Sequence, residues 1–190
     1  MMRLGTQRGA TLVEVLITMV ILITGLLGLV ALQARLQIAQ IEAYQRAQAA
    51  VLVSDISERV LANRIRAGQY VTNGPIGTGS NCANLTALEA RAQSDIREWC
   101  EMLQGASTTL NGAQVGTLTG GRGCIEPIIA GSIYRVSVVW QGLAPLGGPA
   151  PGDTASTCGT GLYDDAGGGG CTADLCRRQL VSTVRIAELL

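Results

Sequence analysis

The stretch that decides the fold is Gly9–Arg35, GATLVEVLITMVILITGLLGLVALQAR. It is apolar almost throughout, and Glu14 is its only charged residue before the closing arginine. The run Val15–Leu32 has no charge and only two threonines as polar residues. Such a run is long enough for an α-helix to cross the hydrocarbon core of a bilayer. We therefore predict a transmembrane helix in this stretch.

The orientation of the helix follows from its flanks. Arg3 and Arg8 precede the apolar run, and basic residues favour the cytoplasmic side. The predicted location is the inner membrane, with a single pass and the remainder of the chain in the periplasm. A cleaved secretory signal is the alternative, but its apolar core would be shorter and would end at a small-residue cleavage site. Here Gln33–Arg46 continues with helix-forming residues instead.

Cysteine placement agrees with this orientation. All six cysteines follow the apolar run: Cys82, Cys100, Cys124, Cys158, Cys171 and Cys176. An even number on one side of an anchor is typical of disulfides in an oxidising compartment, and the spacings match no common zinc site. Sequence alone does not choose the pairing. Cys82 and Cys100 either bridge each other across a predicted helix or reach the sheet separately.

The helix is predicted to continue beyond the membrane. Ala34–Arg66 contains no Pro or Gly and is rich in good helix formers, and Gly68 is the expected stop. Apolar residues recur at helical spacing along this half. The predicted stripe consists of Ile41, Tyr44, Ala47, Val51, Leu52, Ile56 and Val60.

A second helix is predicted after the glycine-rich loop Tyr70–Ala83. Thr86 and Glu89 fit the capping box that opens a helix, and Gly105 is expected to end it. Five apolar residues recur at helical spacing and predict one apolar face, formed by Leu88, Ala92, Ile96, Trp99 and Leu103.

The rest of the chain predicts strands. Alternation is strong in Ile133–Trp140, present in Gln179–Leu189 and weak in Gln114–Thr119. Leu143–Cys176 has little regular pattern and is expected to be a loop tied down by disulfides. The predicted fold is α+β, with an antiparallel sheet packed on the long helix. The predicted divisions are a short polar N-terminal segment, 1–9, a transmembrane half-helix, 10–33, an amphipathic half-helix, 34–67, and a globular head, 68–190.

Composition argues against catalysis and nucleic-acid binding. Arginines and acidic residues balance at 14 each, and there is no histidine to serve as a general base or metal ligand. The glycine run Gly167–Gly170 lacks the Lys-Ser/Thr of a phosphate loop. Asp164, Asp165 and Asp174 offer oxygens for Ca²⁺, although solvated loop charges are the preferred interpretation. We predict no enzyme activity, no cofactor, no metal and no nucleic-acid partner.

The segment Gly9-Ala10-Thr11-Leu12-Val13-Glu14, followed by the apolar run, resembles the class III signal of type IV prepilins. The resemblance implies a pilin-like fold and a prepilin leader formed by residues 1–9. It implies that prepilin peptidase cuts after Gly9 and methylates Ala10, where the family usually has Phe. It also implies that Glu14 pairs with the free N-terminus of a neighbouring subunit during assembly. An ammonium and a carboxylate that are both poorly solvated attract each other strongly.

A narrower resemblance covers Gly25–Arg64. Its GLLGL, ALQAR and closing ERVLANR elements look like the type IV pilus modification proteins, the PilV-type minor pilins. Gly68–Tyr70, the tryptophan-bearing helix and the strand ending in Val138–Trp140 also fit, whereas the resemblance does not place the cysteine-rich loop. The implied role is pilus assembly in a priming or tip complex, in a surface filament of adhesion and motility. The implied partners are other minor pilins, the major pilin and a tip adhesin.

Two other interpretations remain open. A minor pseudopilin of type II secretion has the same leader, glutamate and long helix, although the ALQAR and ANR elements favour the pilus. A membrane-tethered envelope enzyme is the interpretation from a different class. It would need Asp164 and Asp165 for acid–base chemistry, and adjacent residues on a glycine-rich loop are poorly held for that role.

Overall fold

The computed structural model describes residues 11–85, 90–105, 109–110, 113–114, 118–145, 156–165 and 170–187. The helices are α1 (Leu12–Ala62), a 3₁₀ helix (Arg64–Tyr70), a second 3₁₀ helix (Cys82–Asn84) and α2 (Ala90–Leu103). The strands are β1 (Ile76–Gly77), β2 (Thr109–Leu110), β3 (Ala113–Gln114), β4 (Arg122–Ile129), β5 (Ile133–Gln141) and β6 (Arg177–Arg185).

The chain divides into two compact units between Ile41 and Glu42, and α1 contributes residues to both. In the first unit α1 carries the apolar run. It is long and apolar enough to cross a membrane, and none of the residues in its most apolar stretch is buried. The prediction of one helix with the length and composition of a membrane anchor is therefore confirmed.

The second unit, which we call the head, buries one face of the remainder of α1. The buried residues are Gln45, Ala49, Leu52, Val53, Ile56 and Val60. The predicted stripe is right at Leu52, Ile56 and Val60 but wrong in its first half, because Ile41, Tyr44, Ala47 and Val51 are exposed. In their place, the small Ala49 and the polar Gln45 are buried in the head. The hydropathy of the sequence does not predict this.

The α-helix ends earlier than predicted. It stops at Ala62, and Gly68 lies inside the 3₁₀ helix that follows. Asn63 leaves helical geometry with φ −115° and ψ 41°. The tighter 3₁₀ turn brings Ala67 and Tyr70 into the core, so the change of helix type serves burial.

Four strands form an antiparallel sheet in the order β1-β4-β5-β6, and β2 pairs with β3 separately. The sequence did not predict β4, which contains Pro127. The Ile125 N–H donates to the Thr72 hydroxyl, and the Ile125 carbonyl accepts from the Thr72 N–H. These backbone groups of β4 therefore point away from β5. Two residues further along, Pro127 lies next to a register shift at an edge, where a missing N–H costs no ladder hydrogen bond.

The stronger strand predictions are confirmed. β5 covers the predicted Ile133–Trp140, and β6 overlaps the predicted Gln179–Leu189, ending at Arg185 within the described residues. The weak prediction of Gln114–Thr119 is wrong at its end, because Leu118 and Thr119 lie in a bend and a turn. The antiparallel sheet and the long helix confirm the α+β fold class.

Helix α2 buries the predicted face. Ala92, Ile96, Trp99 and Leu103 are all buried, and Gly105 follows the helix with a left-handed φ of +77°. The proposed capping residues Thr86 and Glu89, like Leu88, lie outside the described residues. The spacing of apolar residues was sufficient to predict this helix because its face is regular.

The sheet is covered on both faces. On one face α1, α2 and the strands share the main core, which includes Ile56, Trp99, Val136, Val138 and Val184. On the other face Cys124, Val139, Cys158 and Tyr163 form a smaller cluster. Cys158 and Tyr163 of the cysteine-rich loop therefore form part of a second layer on that face.

Candidate assembly site

The predicted processing residues Gly9 and Ala10 lie outside the described residues. Glu14 lies in the first turn of α1 and is exposed. Its backbone N–H donates to the carbonyl of Thr11 at 3.0 Å and lies 3.3 Å from the Thr11 hydroxyl. A carboxylate at the N-terminus of a helix is also favoured by the helix dipole. Glu14 is thus positioned by a threonine cap that the sequence analysis overlooked, although the T-x-x-E pattern is visible in the sequence.

The apolar part of α1 satisfies its own polar side chains. The Thr18 hydroxyl donates to the Val15 carbonyl at 2.8 Å, and the Thr24 hydroxyl donates to carbonyls one turn earlier. A hydroxyl that bonds to its own helix can enter an apolar environment at low cost. Glu14 is the one charged side chain of residues 11–32.

An ionic cluster joins α1 to α2. The Arg59 guanidinium contacts Glu98 at 2.7 Å, Asp55 at 3.0 Å and Asp95 at 3.2 Å. The hydrogen bond to Glu98, with the nearby Asp55 and Asp95 carboxylates, raises the pKa of Arg59 above its usual range. The i, i+4 spacing of Asp55 and Arg59 is readable from the sequence, whereas the partners on α2 are not.

Tyr70 completes this cluster from the 3₁₀ helix. Its hydroxyl donates to Asp95 at 2.6 Å and accepts from the Asn63 amide at 3.4 Å. Burial, together with the hydrogen bond to Asp95, raises the pKa of Tyr70 to about 12. The phenol therefore stays neutral at physiological pH and holds the end of α1 against α2.

Trp99 is the largest fully buried side chain of the interface between α1 and α2. Its indole N–H donates to the Leu52 carbonyl at 3.0 Å. The indole lies directly over Gly123 of β4, where a Cβ atom would come within 2.3 Å of the ring. A glycine is required at this position because the ring occupies the space of any side chain.

Two polar contacts hold the start of the α1 segment in the head. Glu42 accepts from Arg178 of β6 at 3.4 Å, and the buried Gln45 amide donates to the Thr119 hydroxyl at 3.1 Å. Arg178 also donates to the Ala144 carbonyl at 2.7 Å. The half of α1 in the head is therefore fixed at both of its ends.

All six predicted cysteines are paired in the structure. The bridges are Cys82–Cys100, Cys124–Cys158 and Cys171–Cys176. The first closes the loop before α2 onto the helix itself, which is one of the two options that the sequence left open. The second fastens the long loop to β4, and the third closes a tight turn before β6.

Tyr163 and Arg177 anchor the long loop. The Tyr163 hydroxyl donates to the Gly120 carbonyl at 2.7 Å, and burial raises its pKa. The buried Arg177 guanidinium donates to the carbonyls of Ser156 and Cys158. Long irregular loops are costly to order, and these contacts with the two bridges supply the order.

The acidic residues of the loop are used within it. Asp174 accepts from the Gly161 N–H at 2.8 Å and pairs with Arg177 at 3.3 Å. Asp164 accepts from the Asp174 N–H at 2.8 Å, while Asp165 is exposed. Among the described residues, no group of three or more potential ligands is placed to hold a metal ion.

The described residues thus define a class of molecule, a disulfide-bonded α+β head on a long helix whose first part has the character of a membrane anchor. No family model, curated protein or solved structure matches the chain.

Proposed function

We propose that the protein is a non-enzymatic subunit of a type IV filament, specifically a minor pilin of the PilV type. In this proposal prepilin peptidase removes residues 1–9 at the inner membrane. The subunit then moves from the membrane into a priming or tip complex with other pilins, with its head in the periplasm and later at the cell surface.

One observation carries the proposal. A single α-helix, Leu12–Ala62, provides both the exposed apolar segment and a buried element of the head core. A protein that merely needed an anchor would need no α-helix shared between anchor and core. A subunit whose anchor is withdrawn from lipid and packed among other helices gains from such a shared helix, because the anchor and the core element then belong to one continuous α-helix.

Glu14 gives the proposed assembly step its chemistry. A carboxylate in an apolar helix is tolerated near the membrane surface and is costly deeper in the bilayer. Packing against the new N-terminal ammonium of a neighbouring subunit would offset this cost, since the attraction between two charges is strong where water is scarce. The apolar residues around Glu14 would then exchange contacts with lipid for contacts with other helices.

The loop chemistry also supports a role without catalysis. The Asp164 and Asp174 carboxylates accept backbone hydrogen bonds, and Asp174 is additionally paired with Arg177. These interactions hold the loop together, which leaves Asp165 as the less committed carboxylate. One remaining loop carboxylate is a poor basis for acid–base catalysis.

The test is the N-terminal residue of the mature chain, determined by mass spectrometry from cells with and without prepilin peptidase. We expect a chain that starts at Ala10 only when the peptidase is present, and a Gly9→Ala variant that keeps its leader. The matched control is Gly5→Ala in the same leader. A start at Met1 in both strains would reject the proposal.

A further inference from the structure

A cavity lies in the head between α2 and the chain on either side of β1. We call it the α2 cavity. Its lining consists of residues 71–76, Ser80, Asn84, Leu85, Gln93 and Ile96. Its volume is about 290 Å³. Pockets that hold small molecules begin at about 300 Å³, so the α2 cavity has the size for a compact ligand rather than for a long segment of chain.

The lining combines an aliphatic wall with neutral polar groups. Ile76 and Ile96 are buried and supply apolar surface. Among the described residues that line the cavity, none carries a charge. Charged groups of this part of α2 face Tyr70 instead, because Asp95 accepts its hydroxyl and Arg91 lies close enough to affect the phenol electrostatically. The polar lining groups are hydroxyls and carboxamides, and they belong to Thr72, Asn73, Ser80, Asn84 and Gln93.

The carboxamides are available to a ligand. Asn73 and Asn84 are exposed, and within the described part of the chain neither side-chain amide has a hydrogen-bond partner. Gln93 donates through Nε2 to the Leu85 carbonyl at 3.1 Å, which holds the side chain in place and leaves Oε1 as an acceptor. Each free carboxamide offers donors and an acceptor side by side. The cavity therefore presents both kinds of group without a net charge.

The walls of the α2 cavity are fixed by bonds within the head. The Cys82–Cys100 bridge ties the second 3₁₀ helix to α2. The Gln104 amide donates to the carbonyls of Gly77 at 2.9 Å and Ser80 at 2.7 Å. A cavity with walls already in place binds without the entropy cost of ordering a loop.

We infer that the α2 cavity binds a neutral saccharide ring, either as a free sugar or as the end of a glycan. A pyranose ring carries hydroxyls that donate and accept around its edge, and its C–H groups form an apolar face. The carboxamides of Asn73, Asn84 and Gln93 match the hydroxyls, and the aliphatic wall of Ile76 and Ile96 matches the C–H face. The described lining residues include no aromatic ring for stacking, so the hydrogen bonds determine which sugar is selected.

Other ligand classes fit the α2 cavity less well. A phosphate or carboxylate would lose its hydration without meeting a positive charge, which is costly. An extended peptide would need free backbone groups along β1. The Gly77 carbonyl already accepts from the Ser80 N–H and from the Gln104 amide, so strand addition at this position has lost its acceptor.

The first experiment measures binding of sugars to the full-length chain by isothermal titration calorimetry. The chain is kept in an amine-oxide detergent, because alkyl glycoside detergents carry a sugar themselves. The probes are the methyl glycosides of glucose, galactose, mannose and N-acetylglucosamine, with lactose and maltose as disaccharides. We expect at least one neutral probe to bind in the millimolar range, and its phosphorylated or carboxylated form to bind about tenfold more weakly. No binding by any neutral probe, or tighter binding of the charged forms, would overturn the inference.

The second experiment places the bound sugar in the α2 cavity. Asn73→Ala combined with Asn84→Ala should weaken binding about tenfold, as expected for the loss of two neutral hydrogen bonds. The matched control is Thr78→Ala, since Thr78 is exposed in the same loop and is not part of the lining. Both variants should unfold thermally like the wild type, because all three side chains are exposed. Unchanged binding in the double variant, or an equal loss in the control, would place the sugar elsewhere and contradict the inference.

The inference goes beyond the proposed function, and the two fail separately. If the leader is removed at Gly9 and the chain enters filaments while no neutral sugar binds, the saccharide site is wrong and the filament role stands. If the chain keeps its leader and a neutral sugar still binds through Asn73 and Asn84, the filament role fails and the saccharide site stands.

Discussion

The two halves of α1 have the same secondary structure and opposite relations to the rest of the chain. In the first unit, Val20 and its neighbours are exposed although they are strongly apolar. In the head, one face of the helix is buried, and polar Gln45 is among the buried residues. The comparison teaches that hydropathy indicates whether lipid or water suits the surface of a helix. Which residues are buried within the chain depends instead on the shape of the elements packed against the helix.

The largest expected effect comes from placing the same charge in each half. Val20 is 53% exposed and Val51 is 62% exposed. Val20→Arg should cost about 3 kcal/mol of membrane insertion free energy if this half lies in lipid. Val51→Arg should change insertion little, because that site already faces water. Resistance of the chain to carbonate extraction measures insertion, and equal behaviour of the two variants would break the comparison.

A pair of glycines sharpens the comparison in terms of packing. A Cβ atom at Gly123 would overlap the Trp99 ring, whereas nothing lies within 4 Å of a Cβ at Gly25. Gly123→Ala should lower the free energy of unfolding of the head by about 2 kcal/mol, as overpacked core substitutions do. Gly25→Ala should leave it unchanged. Denaturant unfolding of the full chain in detergent, followed by tryptophan fluorescence, distinguishes the two.

A smaller effect tests the polar contact that ends the helix. The pKa of Tyr70 is raised to about 12 by burial and by Asp95. Its contribution to stability should be complete below pH ~10, the ordinary tyrosine value, and lost as the pH rises to about 12. Tyr70→Phe should cost about 1 kcal/mol at neutral pH, and the difference from the wild type should shrink above pH ~10.

Thermal unfolding at a series of pH values measures that difference. Asp165→Asn is a suitable control, since Asp165 is exposed and lies in the loop on the opposite face of the sheet. A Tyr70→Phe penalty that stays constant from neutral pH to pH ~12 would show that ionisation of this phenol does not affect folding.

Regular patterns made much of the fold predictable. The apolar run of α1, the face of α2 and the alternation in β5 each repeat one rule over several residues, so chance seldom produces them. The paired cysteines were predictable from their number and position, and the structure supplies the pairing.

The missed features depend on contacts distant in sequence. Strand β4 contains Pro127, and only its position at a sheet edge makes the proline acceptable. The buried Gln45 amide donates to the Thr119 hydroxyl, and Asp95 accepts hydrogen bonds from both Arg59 and Tyr70. No local pattern encodes such partners. The placement of Glu14 in α1 was predictable. The cap at Thr11 was also visible in the sequence as a T-x-x-E pattern, but it was not predicted.

The most direct measurement of the central claim is the fate of a Glu14→Ala chain, compared with Glu58→Ala on the same helix. Leader removal and the amount of protein in sheared surface filaments are measured together. Our account predicts normal cleavage of both variants, with loss of the Glu14→Ala chain from filaments and retention of Glu58→Ala. Filament incorporation of the Glu14→Ala chain at the wild-type level would contradict it.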